Sequence, residues 1–282
     1  MLKSMFSGVT GLRSHQTMLD VIANNVANVN TAGFKSSSVL FTDVYYQTLS
    51  AATAPSTTTG GVNAKQIGCG TTVATISLSN IRGGYSQTEK AMDLYISGEG
   101  YLVIKDAGGN VNYTRVGSLS FDASGNLVDS NGNFVMGDVD GTLATYNPTS
   151  PIAVTDLGPI KVDLSTYTDI TIGSDGNITG INTTGATQVI AQIALASFAN
   201  PSGLSQDGSM YMSETGNSGV AVYAAPGSAI CGTLVTGGLE MSNVDLSKQL
   251  TDMIIAERGF QANSRVITTS DEILQELVNL KR

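Results

Sequence analysis

Apolar residues at the two ends of the chain repeat at helical spacing, and those between them alternate. Leu2, Met5, Val9, Leu12, Gln16, Leu19, Ala23 and Val26 follow steps of three and four, an a/d heptad seam with one polar breach at Gln16. At the other end Leu246, Met253, Phe260, Ile267 and Leu274 recur every seven residues, flanked by Leu250, Ile254 and Leu277 or Val278. A lone amphipathic helix leaves its stripe in water, and most helix stability comes from packing. The two stripes therefore predict a coiled-coil-like arm built from both chain ends. Gly8 and Gly11 interrupt the first helix, each costing about 1 kcal/mol relative to alanine, which implies a neighbouring backbone close by. Apolar surface left over needs other copies of the chain, and both ends are expected to order on assembly.

Between the ends the pattern changes twice. Residues 36–71 are rich in Ser, Thr and Gly and read as an extended connector, with Val39 to Tyr46 apolar enough to dock. From 72 to 238 strand signals dominate. Ala74, Ile76 and Leu78 alternate with polar residues, as do Leu119 and Phe121, and Val189, Ala191, Ile193 and Leu195 mark another face. Turn signals at Ser124-Gly125-Asn126, Asn131-Gly132-Asn133 and Asp175-Gly176-Asn177 predict hairpins. The reading is an α+β fold: arm 1–35, connector 36–71, a mostly antiparallel β domain 72–238 with room for a small insertion only at 137–160, and arm 239–282 pairing with the first.

The stretch NNVANVNTAGFK joins the first helix to the connector. Asparagine competes for the backbone, so Asn24, Asn25, Asn28 and Asn30 favour a helix stop, and Asn24 and Asn28 share one face. Gly33 can take the left-handed turn that ends helices, and Phe34 can pack back against it.

Composition narrows the function. Of 282 residues 13% are charged and 41% hydrophobic, and the net charge is −9. The acidic excess lies in the middle of the chain, which argues against nucleic-acid binding and for a solvent-facing body. No apolar run is long enough to span a membrane, and the first residues lack a signal-peptide run, which alone predicts a cytoplasmic chain. Cys69 and Cys231 read as free thiols. His15, the single histidine, stands outside the seam and has no ligand set around it. Gly98-Glu99-Gly100 is too short for a dinucleotide loop. Asp129, Asn131, Asn133 and Asp140 imitate a calcium loop but lack its glycine and its glutamate, so a turn is the better reading. No acid/base constellation, cofactor or metal site is expected.

Three stretches carry a resemblance. LDVIANNVANVNTAGFKSS (Leu19 to Ser37), AMDLYISGEGYLVI (Ala91 to Ile104) and GLEMSNVDL (Gly238 to Leu246) resemble, in order, the N-terminal, internal and C-terminal signatures of the bacterial flagellar rod and hook family. The ending Gly259 to Arg282 resembles hook more than rod members. The resemblance implies a structural subunit that polymerises with itself into a curved hook tube, its helices inside and its β domain outside. It also implies export without a cleaved signal, and rod, hook-cap and hook–filament junction proteins and the export apparatus as partners. A distal rod subunit is the alternative within the family, since only 137–160 is free for an extra outer domain. A secreted β-rich adhesion module with helical arms is the alternative of another class, although the ten tyrosines are dispersed apart from Tyr45-Tyr46. The assembly face would consist of Leu2, Met5, Val9, Leu12, Leu19, Val26, Leu246, Leu250, Met253, Phe260, Ile267 and Leu274.

Overall fold

Both terminal stripes form helices. In the computed structural model, which describes residues 2–56, 60–139, 157–183 and 185–280, α1 spans Leu2–Ala27 and α2 spans Leu246–Asn279. The start of α2 is set by Asp245, whose Oδ1 accepts from the amides of Ser247 at 2.9 Å and Lys248 at 3.2 Å. The chain divides into two units, and both helices belong to the first: Met1–Val29, Ser36–Ser79 and Val244–Arg282.

The helices run antiparallel and touch through small residues. A Cβ on Gly8 would lie 3.1 Å from Ile267 Cγ1, one on Gly11 2.7 Å from Asn263 Nδ2, and one on Gly259 2.5 Å from His15 Cε1. The glycines thus sit where the partner helix comes close, as expected. The seam itself is displaced. Buried in α1 are Gly8, Gly11, Ser14, Ile22 and Asn25, and in α2 Gln249, Ala256 and Ser270. In α1 these lie at intervals of three and eight, mostly one residue ahead of the apolar a/d series, and in α2 at intervals of seven and fourteen, between its members. Glycine, alanine and serine let two backbones approach and gain dispersion contact, where leucines would hold them apart. Of the residues read as the seam, Val9, Leu246, Leu250 and Phe260 are exposed, while Met5, Leu12, Leu19, Val26, Met253, Ile267 and Leu274 are half-buried. Only the backbone of Leu2 is described.

The connector is two ladders. β1 (Ser37–Asp43), β2 (Tyr46–Ser50), β3 (Lys65–Gly68) and β4 (Thr71–Leu78) come after α1. β1 pairs antiparallel with β4 and both pack on α1, with Phe41 edge-on to His15 at 5.7 Å. β2 pairs with β3 and is exposed throughout. β4 therefore stays with the helices, and the boundary read at 71/72 falls at 79/80.

The second unit is Asn30–Lys35 with Asn80–Asn243. Its sheet is antiparallel around Tyr101–Lys105, which pairs with Val111–Thr114, Phe134–Asp138 and Leu195–Ser197. Leu94, Ile96, Leu102, Leu127, Ile178 and Ile193 are fully buried in one core with their neighbours. Asp106, Asp122, Asp129, Gly173 and Asn182 each accept the amide of a glycine three residues on, at φ between +74° and +85°. Each turn is closed by a left-handed glycine, the arrangement of three-residue hairpin loops. The three Asx-Gly signals are all among them. The alternation read through Val189 breaks at a bulge: Ile178 faces Ala191 and Thr179 faces Val189, so Ile190 is the extra residue and Val189 turns outward. In the stretch read as an insertion, Gly158–Pro159 pairs with Met136 and Gly137 and Ile160 is fully buried; residues 140–156, Asp140 among them, lie outside the described residues.

Candidate assembly face and junction

In the first unit the junction begins with the end of α1. Asn28 Nδ2 donates to Asn24 O at 2.9 Å and to Asn24 Oδ1 at 3.0 Å, tying down the last turn. Asn25 is fully buried and copies a ladder pair: its Nδ2 donates to Ser37 O at 2.8 Å, and its Oδ1 accepts from Ser37 N at 3.0 Å. The same Nδ2 lies 3.2 Å from Gln249 Oε1. One amide thus fixes β1 and the first turn of α2 against α1.

Asn30, Gly33 and Phe34 belong to the second unit. Asn30 is exposed, and Phe34 is buried. Gly33 has φ +74°, donates to Glu240 O at 2.8 Å, and a Cβ on it would lie 2.9 Å from Val116 Cγ2. Beside them is a cluster that sequence reading misses. Glu240, 1% exposed, receives Lys35 at 2.5 Å, Arg115 Nη1 at 3.1 Å and the amide of Gly83 at 2.8 Å. Lys35 also donates to Ile81 O at 2.9 Å, and Arg115 to Gly98 O at 2.7 Å while lying 5.4 Å above the Tyr101 ring. Burial holds the Lys35 amine below its ordinary range, with Glu240 opposing. The available signal was a single carboxylate inside the neutral run GGLEMSN, in a chain with few charges. The cluster has no open side for a substrate and its donors are spent on fixed partners, so its role is to fasten Asn30–Lys35 to the strand Gly238–Glu240.

Exposed apolar residues are frequent on α2 and on the strands that follow α1. Along α2, Leu246, Leu250, Ile254, Phe260, Ile273 and Leu277 are between 37% and 59% exposed, Leu246 to Phe260 on one side of the helix and Ile273 and Leu277 on another. A soluble single chain rarely leaves so long an apolar surface bare. His15 is half-buried against Gly259 rather than free of the seam, and Asp129 caps its own turn through the amides of Asn131 and Asn133. Both cysteines are free and buried. Among the described residues no group of three His, Cys, Asp or Glu could hold a metal ion, and no helix is long and apolar enough to cross a membrane.

Paired terminal helices that meet at glycines and leave apolar side chains exposed mark a structural protein rather than a receptor for a small ligand. Family models agree: residues 5–35 match "Flagella basal body rod protein", 95–180 match "Flagellar hook protein FlgE/F/G D1 domain", and 235–280 match "Flagellar basal body rod FlgEFG protein C-terminal". The chain is 44% identical to the flagellar basal-body rod protein FlgG of Bacillus subtilis over 283 positions, covering all of both chains. It is 34% identical to FlgG of Borreliella burgdorferi over 284 positions and 30% identical to that organism's flagellar hook protein FlgE over 442, again covering all of each. The chain belongs to the flagellar basal-body rod and hook family.

Proposed function

We propose that this chain is a subunit of the distal rod of the bacterial flagellum, polymerising through the outward faces of α1 and α2 into a tube that carries torque and encloses the export channel. The observation that carries it is the exposed apolar surface along α2, which no part of the described chain covers. The hook reading suggested by the C-terminal residues loses ground on length. The chain matches rod proteins nearly position for position, whereas the Borreliella hook alignment spans 442 positions against 282 residues. The adhesion-module reading has no support in family membership. Rod and hook proteins would be its neighbours, reached by export without a cleaved signal.

The inner helices would bear mainly on copies of themselves, contacts between different surfaces that stack without closing into a ring. Negative-stain images of the purified chain induced to polymerise test the reading. Straight tubes are expected; curved tubes would restore the hook, and discrete dimers or trimers would end both readings.

A further inference from the structure

The last turns of α2 carry an acidic edge beside an open apolar stripe. Ile273, Leu277 and Leu280 stand four and three residues apart on one side of the helix and are 47%, 49% and 81% exposed. Glu272 and Glu276, themselves four apart, run along that stripe, and Asp271 to Leu280 contains no basic residue. The chain's final Lys281 and Arg282 lie outside the described residues.

A surface of the opposite kind lies on α1. Lys3, Phe6, Thr10, Arg13 and Thr17 follow steps of three and four, so they share one face, and that face is turned away from the glycines that meet α2. Phe6 is 58% exposed and Val44 44%. With Thr10, Thr72 and Val73 they line an open cleft of about 530 Å³ in which Arg13 is the charged residue. A smaller cleft of about 260 Å³ shares Phe6 and brings in Lys3 and Tyr45. The face is basic and apolar where the end of α2 is acidic and apolar.

Within one chain the two cannot meet. Gly8 lies against Ile267 and the helices run in opposite directions. At 1.5 Å per residue, Leu280 is about 20 Å beyond that contact while Leu2 is only about 9 Å beyond it. From about Leu274 onward α2 therefore outruns α1 and points away from its cleft.

We propose that Asp271–Leu280 of one copy docks in the Phe6–Arg13 cleft of the next, Leu277 entering beside Phe6 and Glu272 and Glu276 facing Lys3 and Arg13. The contact joins two different surfaces, so each copy keeps one of each free and the series stays open. It deepens the reading of the chain as an assembling axial subunit and rests on it.

Disulfide trapping between full-length chains tests the contact. In a Cys69→Ala background, chains bearing Thr10→Cys are mixed with chains bearing Leu277→Cys and oxidised. The expected product is the mixed 10–277 adduct, with at least tenfold less from a Thr268→Cys control. Arg13→Glu should cut the adduct about tenfold, and adding Glu276→Arg to the partner chain should restore it. No excess of the mixed adduct over the control, or no restoration by the charge swap, overturns the proposal. Polymers that form without the adduct leave the rod reading standing and remove this contact; an adduct without polymers does the reverse.

Discussion

At the scale of single residues, Glu240 is the carboxylate on which the second unit closes. Glu240→Gln leaves Lys35 and Arg115 buried without a counter-charge, and removing one partner from a buried ion cluster costs roughly 3–5 kcal/mol. Urea unfolding of the variant should show that loss, and Lys35→Met combined with Glu240→Gln should lose less than the two single losses together. Strict additivity would show that the two side chains do not act as one unit. Cys231 gives a pH signature. Burial pushes its thiol up to about 11 from 9.0, so the folded unit keeps a proton that the unfolded chain releases. That contribution, on the order of 2–3 kcal/mol, is whole below about pH 9 and lost as pH rises through about 11. Lys35, its amine lowered by burial, acts with the opposite sign and is common to wild type and variant. Cys231→Ala should therefore flatten the fall of the urea midpoint between pH 9 and 11; parallel curves would clear the thiol. The pairing of Lys35 with Glu240 was not legible in the sequence. Lys35 and Glu240 are 205 positions apart, and no local pattern ties a charge to a partner at that distance.

At the scale of elements, the two helices and the hairpins were legible because their signals are local. A period of seven needs only the residues of one helix, and a left-handed glycine three residues after an Asp needs only its own turn. The phase of the helix pair was not legible. Counting apolar residues ranks Leu12 above Gly11 as a seam residue, yet the close approach selects the smaller one. Gly259→Ala makes this testable. Helix propensity alone would reward the change by about 1 kcal/mol. The new Cβ instead meets a His15 ring already packed on Phe41, so a loss of about 1–2 kcal/mol is expected. Adding His15→Ala should return most of it. Thermal melts followed by circular dichroism decide the sign, and a stabilised Gly259→Ala would mean that the helices do not meet there.

At the scale of the whole molecule, the chain divides into two units whose border is not the one read from the sequence. Sequence reading gave Thr72 to Leu78 to the β domain, because a strand's alternation does not reveal its partner; the partner is β1, beside α1. Removal of residues 1–29 and 244–282 should accordingly leave Asn80–Asn243 resistant to protease and expose 36–79, whose strands lose the helix they cover. A fragment resistant throughout would mean that these strands stand without α1. The chain also passes between the units four times, at 29/30, 35/36, 79/80 and 243/244.

That threading sets a clock on biogenesis. The second unit takes its first piece from Asn30–Lys35 and fastens it with Glu240, which leaves the ribosome 205 residues after Lys35. At 5–20 residues per second the wait is roughly 10–40 s. Through most of its synthesis the polypeptide has no means of shutting its own latch, and it stays slack for as long as its tail is unborn.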